Sequence, residues 1–303
     1  MKGKIGGKGY KQVEIVFSKI FAPNRSKHNA KLKAIQNGAV TKSDKAKSTE
    51  IYSYKVLKDY SKVALDLYNF AKEGFGIKSI ELLTNEIVSE FLKDKIESGV
   101  SKGSLNAYSS AIGKLEVALN KYRAGNAFDF SAAIKEAKAS FKGDKSKHIN
   151  RGFTNPENVI NNMKCERNKL VAGLQLAYGL RVQEAGYIKL DKQLHGNTLS
   201  VRGKGGYNIK KELSEGYVEK LKGLADENNL FKVEYRTYLN DIKQAAEVVN
   251  ETYSGSHSFR YNFAQNMYNE LVTNQKMTDK AACLRVSREL GHHREDITRH
   301  YLC

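Results

Sequence analysis

The sequence predicts a mainly α protein with a small antiparallel β-hairpin in its second half, an N-terminal helical bundle followed by a mixed α+β domain. Three observations carry this. Proline is confined to Pro23 and Pro156, so little in the chain interrupts helices. Apolar residues recur at three-and-four spacing through most of the length, as they do on a helix with one buried face. One stretch breaks that period: Thr198–Arg202 and Tyr207–Leu213 flank Gly203-Lys204-Gly205-Gly206 and read as two strands joined by a turn.

Taken in order, residues 1–45 read as a basic arm with one amphipathic stretch, Val13 to Phe21. From there Tyr60, Val63, Ala64, Leu67, Tyr68 and Ala71 mark one helix face. Thr84 and Asn85 offer an N-cap to a second helix that buries Val88, Phe91, Leu92 and Ile96. Ser104 is a candidate cap for a third, carrying Leu105, Ile112, Leu115 and Leu119, and a fourth is expected from Phe130 to Phe141. These helices make a bundle over residues 46–141. Residues 142–151, polar and basic, read as a linker, and residues 152–303 as a second domain. Within it Asn155-Pro156 caps and starts a helix, and Glu166–Tyr178 forms another, ended by Gly179. After the hairpin, helices are expected over Glu215–Ala225, Thr237–Asn250, Ser256–Thr273, Thr278–Leu290 and Arg294–Leu302.

The formal net charge is +18. Residues 1–50 hold twelve Lys and Arg against three acidic residues, so half of the excess lies in one sixth of the length. Such a surface attracts polyanions, because each neutralised phosphate releases condensed counterions. No apolar run reaches the roughly 18 residues a membrane span needs, and the first residues lack the apolar core of a secretion signal. Three scattered cysteines, Cys165, Cys283 and Cys303, offer no disulfide framework, so a reducing, cytoplasmic setting is expected.

No P-loop, dinucleotide fingerprint or carboxylate cluster for two metal ions is present. His292, His293, His300 and Cys303 match no familiar zinc spacing, so neither a metal nor a cofactor is expected. Attack on a phosphodiester without a metal needs a side-chain nucleophile, fixed cations around the phosphorane and a proton donor for the leaving oxygen. Four segments supply these parts: Gly179-Leu180-Arg181-Val182-Gln183-Glu184; Lys204 at the hairpin tip; His257-Ser258-Phe259-Arg260; and Leu290-Gly291-His292 with Tyr301 nine residues on. Each alone has an ordinary reading, such as an exposed turn lysine or a buried tyrosine. Their joint order is what is specific.

Together these motifs resemble the tyrosine recombinase (phage integrase, lambda-integrase-like) family over roughly residues 46–303. The resemblance implies a SAM-like core-binding bundle over 46–141, a catalytic recombinase domain over 152–303, and a duplex clamped between them. It implies that Arg181 and Arg260 hold the phosphate oxygens and that His292 donates to the phosphate. Lys204 would protonate the departing 5′ oxygen, and His257 would act as general acid/base. Glu184 would orient the cations, and Tyr301 would attack to give a 3′-phosphotyrosyl link. His292 is favoured over His293 by its place after Leu290-Gly291, and Lys204 over Lys210 or Lys211 by its place in the hairpin. Gln183 stands where the family often has Ser or Thr, and Tyr261 where a second His is common. The sequence ends two residues beyond Tyr301, where many relatives continue, which leaves cis or trans delivery of Tyr301 open.

The expected activity is therefore site-specific integration or excision of a mobile element, through a homotetramer on double-stranded DNA and a Holliday junction, with accessory DNA-bending proteins as further partners and no membrane. Two alternatives share the scaffold: relaxation of DNA in the manner of a type IB topoisomerase, and a non-catalytic DNA-binding regulator.

Overall fold

Side-chain caps set where most helices of the first half begin. In a computed structural model describing residues 5–123, 125, 127–142, 150–203, 208–292 and 295–302, the chain divides into two compact units, residues 1–147 and 148–303. Ser26, Thr41, Ser53, Thr84 and Ser101 each accept a backbone N–H in the first turn that follows. The helices of unit 1 are α1 (Gly9–Ser18), α2 (Lys27–Gln36), α3 (Lys42–Lys47), α4 (Tyr54–Phe75), α5 (Asn85–Glu97), α6 (Lys102–Tyr122) and α7 (Ser131–Ser140). The third bundle helix thus starts at Ser101 rather than Ser104, because Ser101 reaches the Ser104 amide.

The described part of the expected 1–45 arm, residues 5–45, belongs to unit 1 and packs into its core. Val13, Val16, Phe17 and Ile20 are buried with Leu67, Leu115 and Leu119 in one core. The Gln12 carboxamide, fully buried, bonds the Gly7 and Lys78 carbonyls and the Ile80 amide. The apolar periodicity did not reveal the short α2 and α3, and α3 is held by polar anchors instead. Lys114 of α6 donates to the Ala46 and Thr49 carbonyls, and Lys47 pairs with the buried Glu116 at 2.9 Å. A lysine-rich helix such as α3 can dock in this way because its terminal carbonyls accept from a buried ammonium.

Unit 2 opens with α8 (Pro156–Asn161), capped by Asn155, and α9 (Glu166–Tyr178), ended by Gly179 at φ +65°. There follow α10 (Val182–Ala185), β1 (Tyr187–Lys189), α11 (Leu190–Gln193), β2 (Leu194–His195), β3 (Thr198–Arg202) and β4 (Asn208–Glu212). The remainder is α12 (Glu215–Leu224), β5 (Leu230–Lys232), α13 (Tyr235–Val248), α14 (Ser258–Thr273), α15 (Asp279–Glu289) and α16 (Glu295–Arg299). β3 and β4 pair antiparallel with Val201 opposite Ile209, and β2 extends that sheet. β1 and β5 make a second antiparallel pair between segments about 40 residues apart, a long-range pairing that local pattern does not reveal. The core runs from Val171 and Leu174 of α9 to Phe231, Tyr238 and Phe259. No helix among the described residues is long and apolar enough to cross a membrane.

Candidate active site

The site is assembled where α9 ends, α14 begins and α15 turns back, all within unit 2. Gly179 takes the left-handed conformation that lets the chain leave α9 sharply, and Arg181 follows two residues later. The Arg181 guanidinium is bound by Glu184 at 2.6 Å, and the other Glu184 oxygen accepts the Arg181 backbone N–H at 2.8 Å. Both side chains are largely buried, so this pair fixes the guanidinium instead of leaving it to sample solvent.

Arg260, one turn into α14, is 1% exposed. Its Nη1 donates to the Gly179 carbonyl and its Nη2 to the Leu290 carbonyl at 2.6 Å. Burial pushes its pKa below the ordinary arginine value, which still leaves it a cation. The Leu290 carbonyl is free for this role because of the turn around it. His292 N–H closes back to Ser287 at 2.8 Å and Gly291 N–H to Arg288 at 2.9 Å, a Schellman termination with Gly291 at φ +68°. That same turn presents the His292 ring, whose Nε2 lies 3.4 Å from Nη2 of Arg181 and 3.4 Å from Nη2 of Arg260.

Tyr301 completes the group. Its hydroxyl lies 3.4 Å from Nε of Arg260, and its ring packs against Tyr261 with centroids 4.7 Å apart. The short tail is anchored behind it: the buried Thr298 donates to the Cys283 carbonyl at 2.9 Å, and Arg299 pairs with Asp279 at 2.7 Å. The tyrosine thus lies in the site of its own chain. Two guanidiniums, an imidazole and a phenol converge on one point, an arrangement suited to a tetrahedral oxyanion with a nucleophile at its side.

His257 stands at the residue before α14, where its side chain makes no capping hydrogen bond, and is exposed, within electrostatic reach of Arg260, Arg181 and Arg151. Protein packed behind the ring desolvates it, and those three positive charges add to the effect, so its pKa is held below 6.5. The unfolded chain therefore takes up this proton more readily than the folded one, and the contribution of His257 to stability is complete above 6.5 and lost as pH falls toward the folded value. Urea unfolding should show stability falling between about pH 7 and pH 5.5 more steeply in the wild type than in His257→Gln. Equal slopes would show that neither packing nor these arginines hold the His257 pKa below its ordinary value.

The sequence reading thus finds Arg181, Glu184, Arg260, His292 and Tyr301 gathered, with His257 beside them. Lys204 and His293 lie outside the described residues. The alternative lysines are otherwise engaged or placed: Lys211 is buried and pairs with Glu289 at 2.7 Å, while Lys210 points to the exposed face of β4. Among the described residues, several contributors escaped the sequence reading, the Arg299–Asp279 pair among them. Two are backbone carbonyls, of Gly179 and Leu290, which no residue type announces. Gln265 and Thr298 hold the tail, and only their distance from Tyr301 along the helices hints at this.

No family model matches the chain, and no curated protein matches it significantly. Solved structures do. The XerH site-specific recombinase bound to difH substrate, in a pre-cleavage complex, superposes with a TM-score of 0.62 at 16% identity over 99% of this chain and 95% of that one. The post-cleavage complex of XerH with palindromic difH gives 0.61 at 15% identity, with the same coverage. The Tn1549 transposon integrase in complex with a circular intermediate DNA gives 0.50 at 12%, over 92% of this chain and 95% of that one. A bundle of helices followed by a mixed domain, with this element order across nearly the whole length, is the fold of the tyrosine recombinases.

Proposed function

We propose that this protein is a site-specific DNA recombinase that cuts and rejoins strands through a 3′-phosphotyrosyl intermediate. The observation that carries the reading is the convergence of Arg181, Arg260 and His292 beside the Tyr301 hydroxyl. The Tyr301 oxygen attacks phosphorus, the bond to the 5′ oxygen breaks, and the phenolic proton passes to His257. Lys204 gives its proton to the departing 5′ oxygen. Arg181 and Arg260 carry the negative charge that grows on the non-bridging oxygens, through the guanidinium N–H groups that Glu184 and the Gly179 and Leu290 carbonyls do not take. His292 donates a further hydrogen bond, and Glu184 keeps Arg181 in place. The phosphodiester energy is kept in the tyrosyl link, so the reverse attack by a 5′ hydroxyl reseals the strand.

Residues 46–141 supply further DNA contacts in this reading, and integration or excision of a mobile element by a homotetramer, through a Holliday junction, is its biological form. XerH is bound to difH and the Tn1549 integrase to a circular intermediate DNA, which supports double-stranded DNA as the partner. The test begins with DNA captured covalently in cells that make the protein, sequenced to give the site. A nicked duplex of that site should then trap wild-type protein as a denaturation-resistant adduct, while Tyr301→Phe traps none. An adduct formed equally well by Tyr301→Phe would end the reading.

A further inference from the structure

α14 does more than carry Arg260. Tyr261 and Gln265 stand four residues apart, on one face of that helix, and this face lies under the tail that holds Tyr301. Tyr261 packs its ring on the Tyr301 ring at 4.7 Å, tilted by 49°. Gln265 donates from Nε2 to the Tyr301 carbonyl at 2.9 Å. Arg260, turned about 100° around the same helix, meets the Tyr301 hydroxyl. One helix thus touches the tyrosine at three places, its hydroxyl, ring and backbone.

The same Gln265 amide has a second tie. Its Nε2 also donates to Oδ1 of Asn150 at 2.9 Å, and that oxygen accepts the Gly152 amide at 2.9 Å. One turn earlier, Asn262 is buried and bonds both the amide and the carbonyl of Phe153, at 3.0 and 2.7 Å. The segment by which the chain enters unit 2 is therefore stitched to α14 at 150–153, and through Gln265 to the backbone of Tyr301. An amide has two N–H groups, and here both have acceptors, one on each side.

We propose that Tyr261 and Gln265 are positioning residues that hold Tyr301 in the site of its own chain, and that Gln265 couples that hold to the Asn150–Phe153 segment. The coupling part asks nothing of DNA chemistry. Its catalytic consequence rests on the recombinase reading given above. A nucleophile displaced by about 1 Å can lose on the order of a hundredfold in rate, so contacts that fix the Tyr301 ring and backbone are kinetically visible.

The test measures tail order and chemistry separately in the full chain. Amide hydrogen exchange of residues 299–302 should rise about tenfold in Tyr261→Ala and in Gln265→Ala, the loss of one modest contact in each case. Tyr261→Phe, which keeps the ring, should match wild type. Asn150→Ala should raise exchange in the same residues, although it does not touch Tyr301. With a trapped nicked duplex, Tyr261→Ala and Gln265→Ala should form adduct about tenfold more slowly with DNA affinity unchanged, and Tyr261→Phe should restore the rate. Unchanged exchange at 299–302 in both alanine variants overturns the positioning role. Unchanged exchange in Asn150→Ala overturns the coupling. Were wild type to form no adduct while the exchange changes appeared, the recombinase reading would fall and the positioning would stand.

Discussion

Arg260→Lys should slow strand cleavage by about 10²–10³, although it keeps the positive charge. The reason lies in the fork. One guanidinium satisfies the Gly179 carbonyl, the Leu290 carbonyl and the neighbourhood of the Tyr301 hydroxyl at once, from a position that is 1% exposed. A lysine ammonium at the end of a flexible stem cannot span those three points, and one buried carbonyl is left without a donor. That orphan costs about 1–3 kcal/mol, which for a domain of this size lowers Tm by roughly 2–4 °C for each kcal/mol lost. The variant should therefore be both slower and less stable. Single-turnover cleavage and thermal unfolding on the same preparation check it, and a variant with wild-type rate would remove Arg260 from the chemistry.

Gly179→Ala should cost about 2–4 kcal/mol of unit-2 stability, adding left-handed backbone strain to overpacking. Gly179 sits at φ +65°, and a Cβ there would lie 2.5 Å from two ring carbons of Phe263 and 3.1 Å from Leu290. Phe263 is on α14 and Leu290 ends α15, so the added carbon pushes apart the elements that bring Arg260 to its acceptors. Cleavage should fall with stability. Gly113→Ala is the contrasting case: that glycine lies within α6, and an added Cβ meets nothing within 4 Å. There alanine should stabilise by about 0.5–1 kcal/mol. Urea unfolding of the two variants beside wild type decides the matter. Equal effects would mean that the close approach at Gly179 is not real.

The helices of the second half were legible because their signals are local. Asn155-Pro156 and Gly179 mark ends by capping geometry, and Glu166–Tyr178 appears with the predicted boundaries. The hairpin strands Thr198–Arg202 and Asn208–Glu212 are also close to expectation. What was not legible depends on partners far along the chain. α2 and α3 bury little apolar surface, and α3 is held by Lys114 and Glu116, so periodicity had nothing to report. The charge of residues 1–50 suggested an arm because a charge count does not register which residues of Val13–Ile20 face inward. At the site, order and spacing pointed to the side chains that now meet. The hydrogen bonds that fix Arg260 run to the Gly179 and Leu290 carbonyls, which carry no sequence signature.

The short tail gains a physical account from Thr298, Arg299, Tyr261 and Gln265, which together hold it against α14 and α15. The central claim is that Tyr301 becomes covalently joined to the 3′ side of a broken strand. The most direct test is to digest the trapped adduct with protease and identify the peptide left on the DNA, while testing the opposite end of the break for a free 5′ hydroxyl. The account requires a peptide bearing DNA on Tyr301, and a 5′ end that polynucleotide kinase labels without prior phosphatase. DNA attached to any other residue, or a break ending in a 5′ phosphate, would contradict it.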